Sequence, residues 1–204
     1  MNTKLLSIRL WEYSCICLFL LSVFVLGTFF PNDHTKNLIR QKTIDEIRKI
    51  GFFEPKIEVM SSERFIESMK KCIAYHNLDI RKEQQIPREL IIAQAIVESN
   101  FGTSRFATEG NNLFGIRVWS KNGMLPLKQD ESINWRVKTY KSKCSSVKDY
   151  INVLNNNHHY QEFRQIRERT KNPMILADTL DNFSTSKEYA NHVKQILTKY
   201  KGKL

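Results

Sequence analysis

Pro87 to Ile116 reads PRELIIAQAIVESNFGTSRFATEGNNLFGI, and the reading of this stretch decides the fold. Proline suits a first helical turn, and Glu89 suits the positive end of the helix dipole. Leu90 to Val97 are nearly all apolar, so the spacing predicts a helix buried on most sides. Only Gln94 and Glu98 interrupt it, and four residues apart they share one face. The helix should stop near Ser99-Asn100, with Gly102 at its exit. The chain then crosses a polar loop and ends on the apolar run Leu113-Phe114-Gly115-Ile116. Glu98 is the anomaly, because a carboxylate so far into an apolar segment is costly to bury.

Towards the C-terminus the pattern changes. Ile116 to Trp119 alternates, Asn122-Gly123 signals a turn, and Met124 to Leu127 could return as a second strand. Ile133, Trp135, Val137 and Thr139 alternate with polar neighbours. This predicts a small β lobe inserted in a helical domain. Three more helices and a final amphipathic one follow. Ser145 or Ser146 is the expected cap of the first, whose buried face carries Val147, Tyr150, Ile151 and Leu154. Tyr160, Phe163 and Ile166 mark the second, Pro173 opens a short third, and Tyr189, Val193, Ile196, Leu197 and Tyr200 line the last.

Towards the N-terminus, Tyr13 to Asn32 contains no charged residue. About 20 apolar residues span a bilayer, and Lys4 and Arg9 before the run place the N-terminus inside. Residues 1–32 are therefore expected to be a membrane anchor or, alternatively, a cleaved signal segment, with the remainder outside the cytoplasm. Residues 33–60 read as a tether, with a short helix through Ile44, Ile47 and Ile50 ended by Gly51. Residues 61–204 form the main domain, whose first helix starts near Ser62 and presents Phe65, Ile66, Met69 and Ile73 on one face.

The chain has 204 residues, 41% hydrophobic and 26% charged, with a net charge of +11, which fits a folded domain plus an appendage. Residues 1–32 carry Lys4, Arg9 and Glu12, or +1, leaving +10 elsewhere. Such a balance favours an anionic partner: nucleic acid, a membrane surface or a carboxylate-bearing polymer such as a bacterial wall. An exported domain has no access to nucleic acid, so that partner ranks last. Cys15 and Cys17 lie in the apolar run. Cys72 and Cys144 could pair in an oxidising compartment or remain thiols. No metal-binding spacing occurs, and the adjacent His158 and His159 point different ways on a helix, so neither metal nor cofactor is expected.

Glu98 is the candidate for chemistry. Apolar neighbours and the negative end of a helix both disfavour its carboxylate and raise its pKa. Cleavage of a glycosidic bond needs such a group, because the leaving oxygen must receive a proton. A glutamate that reaches solvent or pairs with Arg105 is the other reading. Among aromatic residues, Phe101, Phe114, Trp119, Trp135 and Tyr140 could line a sugar cleft or pack in the core.

Ala93-Gln94-Ala95, Glu98-Ser99, Gly102 to Ala107 (GTSRFA) and Asn111-Asn112-Leu113-Phe114-Gly115 stand in an order and spacing that resemble the glucosaminidase family of peptidoglycan hydrolases, and its Bax-like members in particular. The resemblance extends through Val147 to Arg167 and to Glu188-Tyr189-Ala190, covering roughly residues 60–200. It implies a mainly α, lysozyme-like α+β domain with a small β lobe, and hydrolysis of the β-1,4 bond after N-acetylglucosamine in peptidoglycan. Glu98 matches the family's general acid. Glu131, close to Asp130, stands in the region of a second carboxylate, and Tyr189 matches a family tyrosine. Gln94, Phe101, Asn112, Phe114, Trp119 and Tyr140 are the candidate substrate-binding residues. Two departures stand out. The T-x-E-Y-like element of many members is absent, and Phe183-Ser184-Thr185 replaces a Tyr-led triplet. Lytic transglycosylases also use one glutamate in an E-S-x-F setting, and a wall-binding scaffold without catalysis is the alternative from another class.

Overall fold

The protein was analysed as a computed structural model, which describes residues 3–29, 32–49, 51–126, 133–180, 183–184 and 186–204. The chain divides into two compact units, Met1–Phe52 and Phe53–Leu204.

The first unit holds two helices, α1 (Thr3–Phe29) and α2 (Asp33–Lys49). The large apolar side chains of α1 from Trp11 to Leu26 are exposed. Among the described residues no helix is long and apolar enough to cross a membrane, so the expected spanning anchor is not found there. Within the stretch read as a tether, α2 is longer than the short helix expected through Ile44, Ile47 and Ile50. Asn32 caps it by accepting the amide of Thr35 at 2.8 Å, and Asp33 stands in its first turn and Arg48 and Lys49 in its last, as the dipole favours.

The second unit is helical with one small sheet. Its core helices are α3 (Ser62–Asn77), α4 (Arg88–Ser99), α6 (Lys143–Asn156), α7 (Gln161–Arg169), α8 (Pro173–Ala177) and α9 (Tyr189–Lys199); a short α5 (Arg105–Glu109) lies between α4 and the sheet. The central element is α4, which packs against α3, α8 and α9. Leu90, Ile91, Ile92, Ala93 and Ala95 have no exposed surface. Each large apolar side chain buried this way stabilises the fold by about 1.5–3 kcal/mol. The apolar run in the sequence thus becomes a helix surrounded by others.

Local chemistry sets the boundaries. Ser61 caps α3, accepting from the Arg64 amide, and Asn172 caps α8 with proline next in line. The cap of α6 is Ser142 rather than Ser145 or Ser146. Its hydroxyl accepts the Ser145 amide at 2.9 Å, and Ser145 and Ser142 both bond Glu54. The helix begins at Lys143 because Ser142 is the residue still in extended backbone (φ −147°), as a cap requires.

The β lobe is smaller than the alternation suggested. Strands β1 (Arg117–Val118) and β2 (Arg136–Val137) pair antiparallel, Arg117 opposite Val137 and Val118 opposite Arg136. The anticipated strand from Met124 contributes a single bridge, with reciprocal Met124–Val137 amide bonds of 2.8 and 2.9 Å. Leu127, Asp130 and Glu131 lie outside the described residues.

Cys72 of α3 and Cys144 of α6 form a disulfide, with Cα atoms 5.7 Å apart, across 72 residues of sequence. His76, one turn after Cys72, is buried beside it and its Nε2 lies 3.1 Å from the Cys144 carbonyl oxygen. Burial pushes the His76 imidazole below its ordinary pKa, the Cys144 carbonyl partly opposing this. Among the described residues, Cys72, His76 and Cys144 are the one group able to converge three metal-ligand atoms, yet both sulfurs are spent on each other. A cross-link closing so long a loop contributes about 2–4 kcal/mol. A Cys72→Ala/Cys144→Ala variant is expected to lose about that amount in urea unfolding while keeping its far-UV circular dichroism; an unchanged midpoint would contradict it.

Candidate active site

The site begins where α4 ends. Asn100 takes the left-handed conformation (φ 48°), followed by Phe101 (φ 57°) and Gly102 (φ 77°), so the chain turns sharply out of the helix. Ser99 holds this exit: its hydroxyl donates to the Ala95 carbonyl and accepts the Gly102 amide at 2.9 Å. A Cβ at Gly102 would sit 2.7 Å from Val59 Cγ1, so only glycine fits. This exit leaves Glu98 in the last turn, with its side chain at the edge of the core.

The facing wall is the loop Asn111 to Ile116. Asn112 builds it. Its amide donates to the carbonyls of Ile116 (3.0 Å) and Lys138 (2.8 Å), and its oxygen accepts the amides of Phe114 (3.1 Å) and Ile116 (3.2 Å). With its hydrogen-bonding capacity engaged by backbone, Asn112 organises the loop and joins it to the strand side. At Gly115 (φ 64°) the loop passes Glu98: a Cβ there would lie 3.9 Å from Glu98 Oε2. Phe114 is stacked on Tyr150, ring centroids 4.0 Å apart.

Between these walls runs a cleft of about 780 Å³. Glu98 lines it together with Phe114, Gly115 and Ile116 on the loop side, Arg117, Trp119 and Trp135 on the sheet side, and Asn157, His159, Tyr160, Phe183 and Ser184 on the helical side. The Arg117 guanidinium lies 4.1 Å from the Trp135 ring centroid, making a flat cationic and aromatic surface. Trp119 is 70% exposed. Aromatic faces, amides and hydroxyls of this kind suit a sugar polymer.

Burial raises the Glu98 carboxyl above its ordinary pKa, and a hydrogen bond from Tyr189 partly lowers it again. Behind Glu98, Tyr189 also accepts from Gln94 Nε2 at 2.8 Å, and the Tyr150 hydroxyl bonds to Gln94 Oε1. Burial, with Glu98 nearby, pushes Tyr189 far up, and Tyr160 is pushed up to about 12 for the same reasons. Both phenols therefore remain neutral.

Of the expected site residues, the structure brings Glu98, Asn112, Phe114 and Trp119 to the cleft. Gln94 and Tyr189 are buried behind it, with Gln94 donating to the Tyr189 hydroxyl oxygen. Phe101 packs edge-on against Phe65 and Tyr200 in the core. Tyr140 donates to Asp149 at 2.8 Å beside the Lys138–Asp149 ion pair, and neither Phe101 nor Tyr140 is among the cleft residues. Glu131 lies outside the described residues, and among the described cleft residues Glu98 is the one carboxylate. Sequence reasoning assigned no role to Tyr150, Tyr160, His159 or Ser184. A signal existed for Tyr150: a tyrosine on a buried helix face needs a partner for its hydroxyl.

A helical domain with a small sheet, and a glutamate whose carboxyl pKa is raised by burial at the edge of a cleft, fit the fold and site of a glycoside hydrolase. The chain belongs to the glucosaminidase family, described as mannosyl-glycoprotein endo-beta-N-acetylglucosaminidase, whose model matches residues 74–202. It is 24% identical over 155 residues to the exo-glucosaminidase LytG of Bacillus subtilis, covering 70% of this chain and 53% of the relative, so it spans about half that protein's length. Among solved structures, it resembles the catalytic domain of the autolysin Auto from Listeria monocytogenes (TM-score 0.51, 20% identity, 76% of this chain and 92% of that one). It also resembles a glycoside hydrolase domain of FlgJ from Salmonella typhimurium (TM-score 0.52, 18% identity, 69% and 98%). These two likenesses establish the lysozyme-like fold.

The raised Glu98 pKa carries a sign for stability. The folded state holds this proton more tightly than the unfolded chain, so ionisation opposes folding once the pH passes the unfolded value. A Glu98→Gln variant is therefore expected to melt higher than the parent at about pH 7, with the difference shrinking below about pH 4, where both side chains are neutral. Thermal melts across pH check this; an equal or lower melting temperature at neutral pH would contradict it.

Proposed function

We propose that the chain is an exported peptidoglycan hydrolase that cleaves the β-1,4 bond after N-acetylglucosamine, with Glu98 as general acid. The observation that carries this reading is the Glu98 carboxyl, held above its ordinary pKa by burial at the edge of the cleft, in a chain of the glucosaminidase family. A glycan strand lying against Trp119 and the Arg117–Trp135 surface would bring its scissile oxygen to Glu98. The protonated acid gives its proton to the leaving oxygen as the bond breaks. A water, or the N-acetyl group of the substrate itself, takes the anomeric carbon. Excess positive charge favours approach to a polymer bearing carboxylates.

Export is supported by the Cys72–Cys144 disulfide, since such bonds persist in oxidising compartments. The exposed apolar surface of α1 supports attachment of the first unit to the inner membrane. On this reading the full chain sediments with membranes and is released by detergent, whereas residues 53–204 remain soluble; a full chain recovered in the soluble fraction would remove the membrane from the proposal.

Mass analysis of digested peptidoglycan tests the activity. Wild type should yield reducing N-acetylglucosamine ends, and Glu98→Gln should lose at least about 10²-fold in rate, the usual worth of a general acid. The single carboxylate among the described cleft residues also suits a lytic transglycosylase, which anhydro-muramic ends would reveal. Binding without turnover in wild type would indicate a scaffold.

A further inference from the structure

The paired strands carry one arginine each, and the pleat sends the two to opposite faces. Arg117 stands opposite Val137, and Val118 stands opposite Arg136. Directly opposed residues share a face and neighbours along a strand alternate. Arg117 and Trp119 therefore share one face with Trp135 and Val137, while Arg136 takes the other. The cleft confirms this division: the first four residues line it, and Val118 and Arg136 do not. Arg136 is engaged within the lobe, donating to the carbonyls of Ile133 at 2.9 Å and Trp135 at 3.0 Å. Arg105, beside the lobe, is engaged as well, by Glu109 and by the Leu125 carbonyl.

Arg117 differs from both. Its side chain is exposed, and among the described residues its partner is the Trp135 ring, 4.1 Å from the guanidinium carbon. The ring attracts the charge and restrains a long side chain, yet it neutralises nothing. Arg117 is also the one lysine or arginine among the described cleft residues, in a chain with 32 of them. The cleft thus holds a single permanent cation, and that cation is steadied by an aromatic face rather than by a carboxylate. A guanidinium is a planar fork of N–H donors that fits a carboxylate with two parallel bonds.

We propose that Arg117, held against Trp135, is a specificity-determining residue that takes a carboxylate carried by the glycan strand in the cleft. This inference rests on the reading of the cleft as a peptidoglycan site. Gly115, where the loop passes Glu98, is two residues before Arg117, at most about 7 Å of backbone. Selection by Arg117 therefore acts near the scissile bond and favours strands that bear a carboxylate there over neutral ones. Peptidoglycan offers that chemistry from two sources. One is a carboxylate of the stem peptide. The other is the lactyl carboxylate, which is free once the stem has been removed.

The test is equilibrium binding of soluble glycan strands to the full chain in a non-ionic detergent, in a Glu98→Gln background so that strands are not consumed. Each strand is used with its carboxylates free and with the carboxylates coupled to ammonia as carboxamides. The ratio of the two Kd values reads the charge contact, because lost packing weakens both strands alike. Arg117→Gln should lower the preference for the carboxylate strand about fivefold. Arg117→Lys should keep part of it, since an ammonium retains the charge without the fork. Arg136→Gln removes the same charge from the opposite face and should keep the parent ratio. Strands with stem peptides and strands stripped by an amidase form separate arms. A preference lost in the first arm assigns the stem carboxylate, and one lost in the second assigns the lactyl carboxylate. A ratio that Arg117→Gln leaves in place in both arms, or that Arg136→Gln lowers equally, would overturn the proposal. Digestion by the chain with Glu98 intact separates the two readings. Strands left uncut while the Arg117-dependent preference holds refute the hydrolase alone, whereas cut strands without that preference refute this inference alone.

Discussion

The protein is built around a carboxylate that its surroundings resist. Glu98 sits in the last turn of α4, where burial opposes its charge and the negative end of the helix dipole adds to that opposition. What remains in its favour is the single bond from Tyr189. Desolvation and the Tyr189 phenol thus act on this carboxyl in opposite directions, and both depend on packing. The α4 core removes water from one side, and α9 delivers Tyr189 from the other. The left-handed exit at Asn100, Phe101 and Gly102 decides that the helix ends just past Glu98, which exposes the carboxyl to the cleft and leaves its neighbours in the core.

The opposite wall shows the same economy. Asn112 gathers four backbone groups of the loop and strand side, so the loop is rigid where Gly115 passes Glu98. Phe114 closes the wall by stacking on Tyr150, and Tyr150 in turn bonds Gln94. The Phe114–Tyr150 pair therefore joins the cleft wall to the buried Gln94 behind it. A change in Tyr150 would disturb both the cleft surface and the Gln94 hydrogen bond behind it, so a stability measurement on such a variant cannot be read as a packing effect alone.

Much of this was legible in the sequence because it followed from periodicity and one unfavourable placement. The run Leu90 to Val97 announced the buried central helix, and Glu98 within it announced a reason for burying a carboxyl. Phe114 and Trp119 fell at the cleft for the same reason: they follow a loop that must turn back to the helix end. The β lobe was overread, since alternation in Met124 to Leu127 was satisfied by a single bridge at Met124. Ser142 was passed over as a cap because Ser145 and Ser146 looked equivalent; only the backbone angle distinguishes them. Phe101 and Tyr140 have the composition of sugar-binding residues but take core and ion-pair partners, which are set by tertiary contacts far away in sequence. Tyr150 and Tyr189 met Gln94 across 56 and 95 residues, a distance no local pattern reports.

The most direct test of the account is titration of the Glu98 side-chain carboxyl itself. The chain can be labelled with carbon-13 at the glutamate side-chain carbonyl carbon, and the Glu98 resonance assigned by its loss in Glu98→Gln. Its chemical shift followed with pH gives the protonation state without any substrate. The account predicts a midpoint above the ordinary glutamate value of 4.5, moving higher still when Tyr189 is replaced by phenylalanine. A midpoint at or below 4.5, or one that Tyr189→Phe leaves in place, would contradict it.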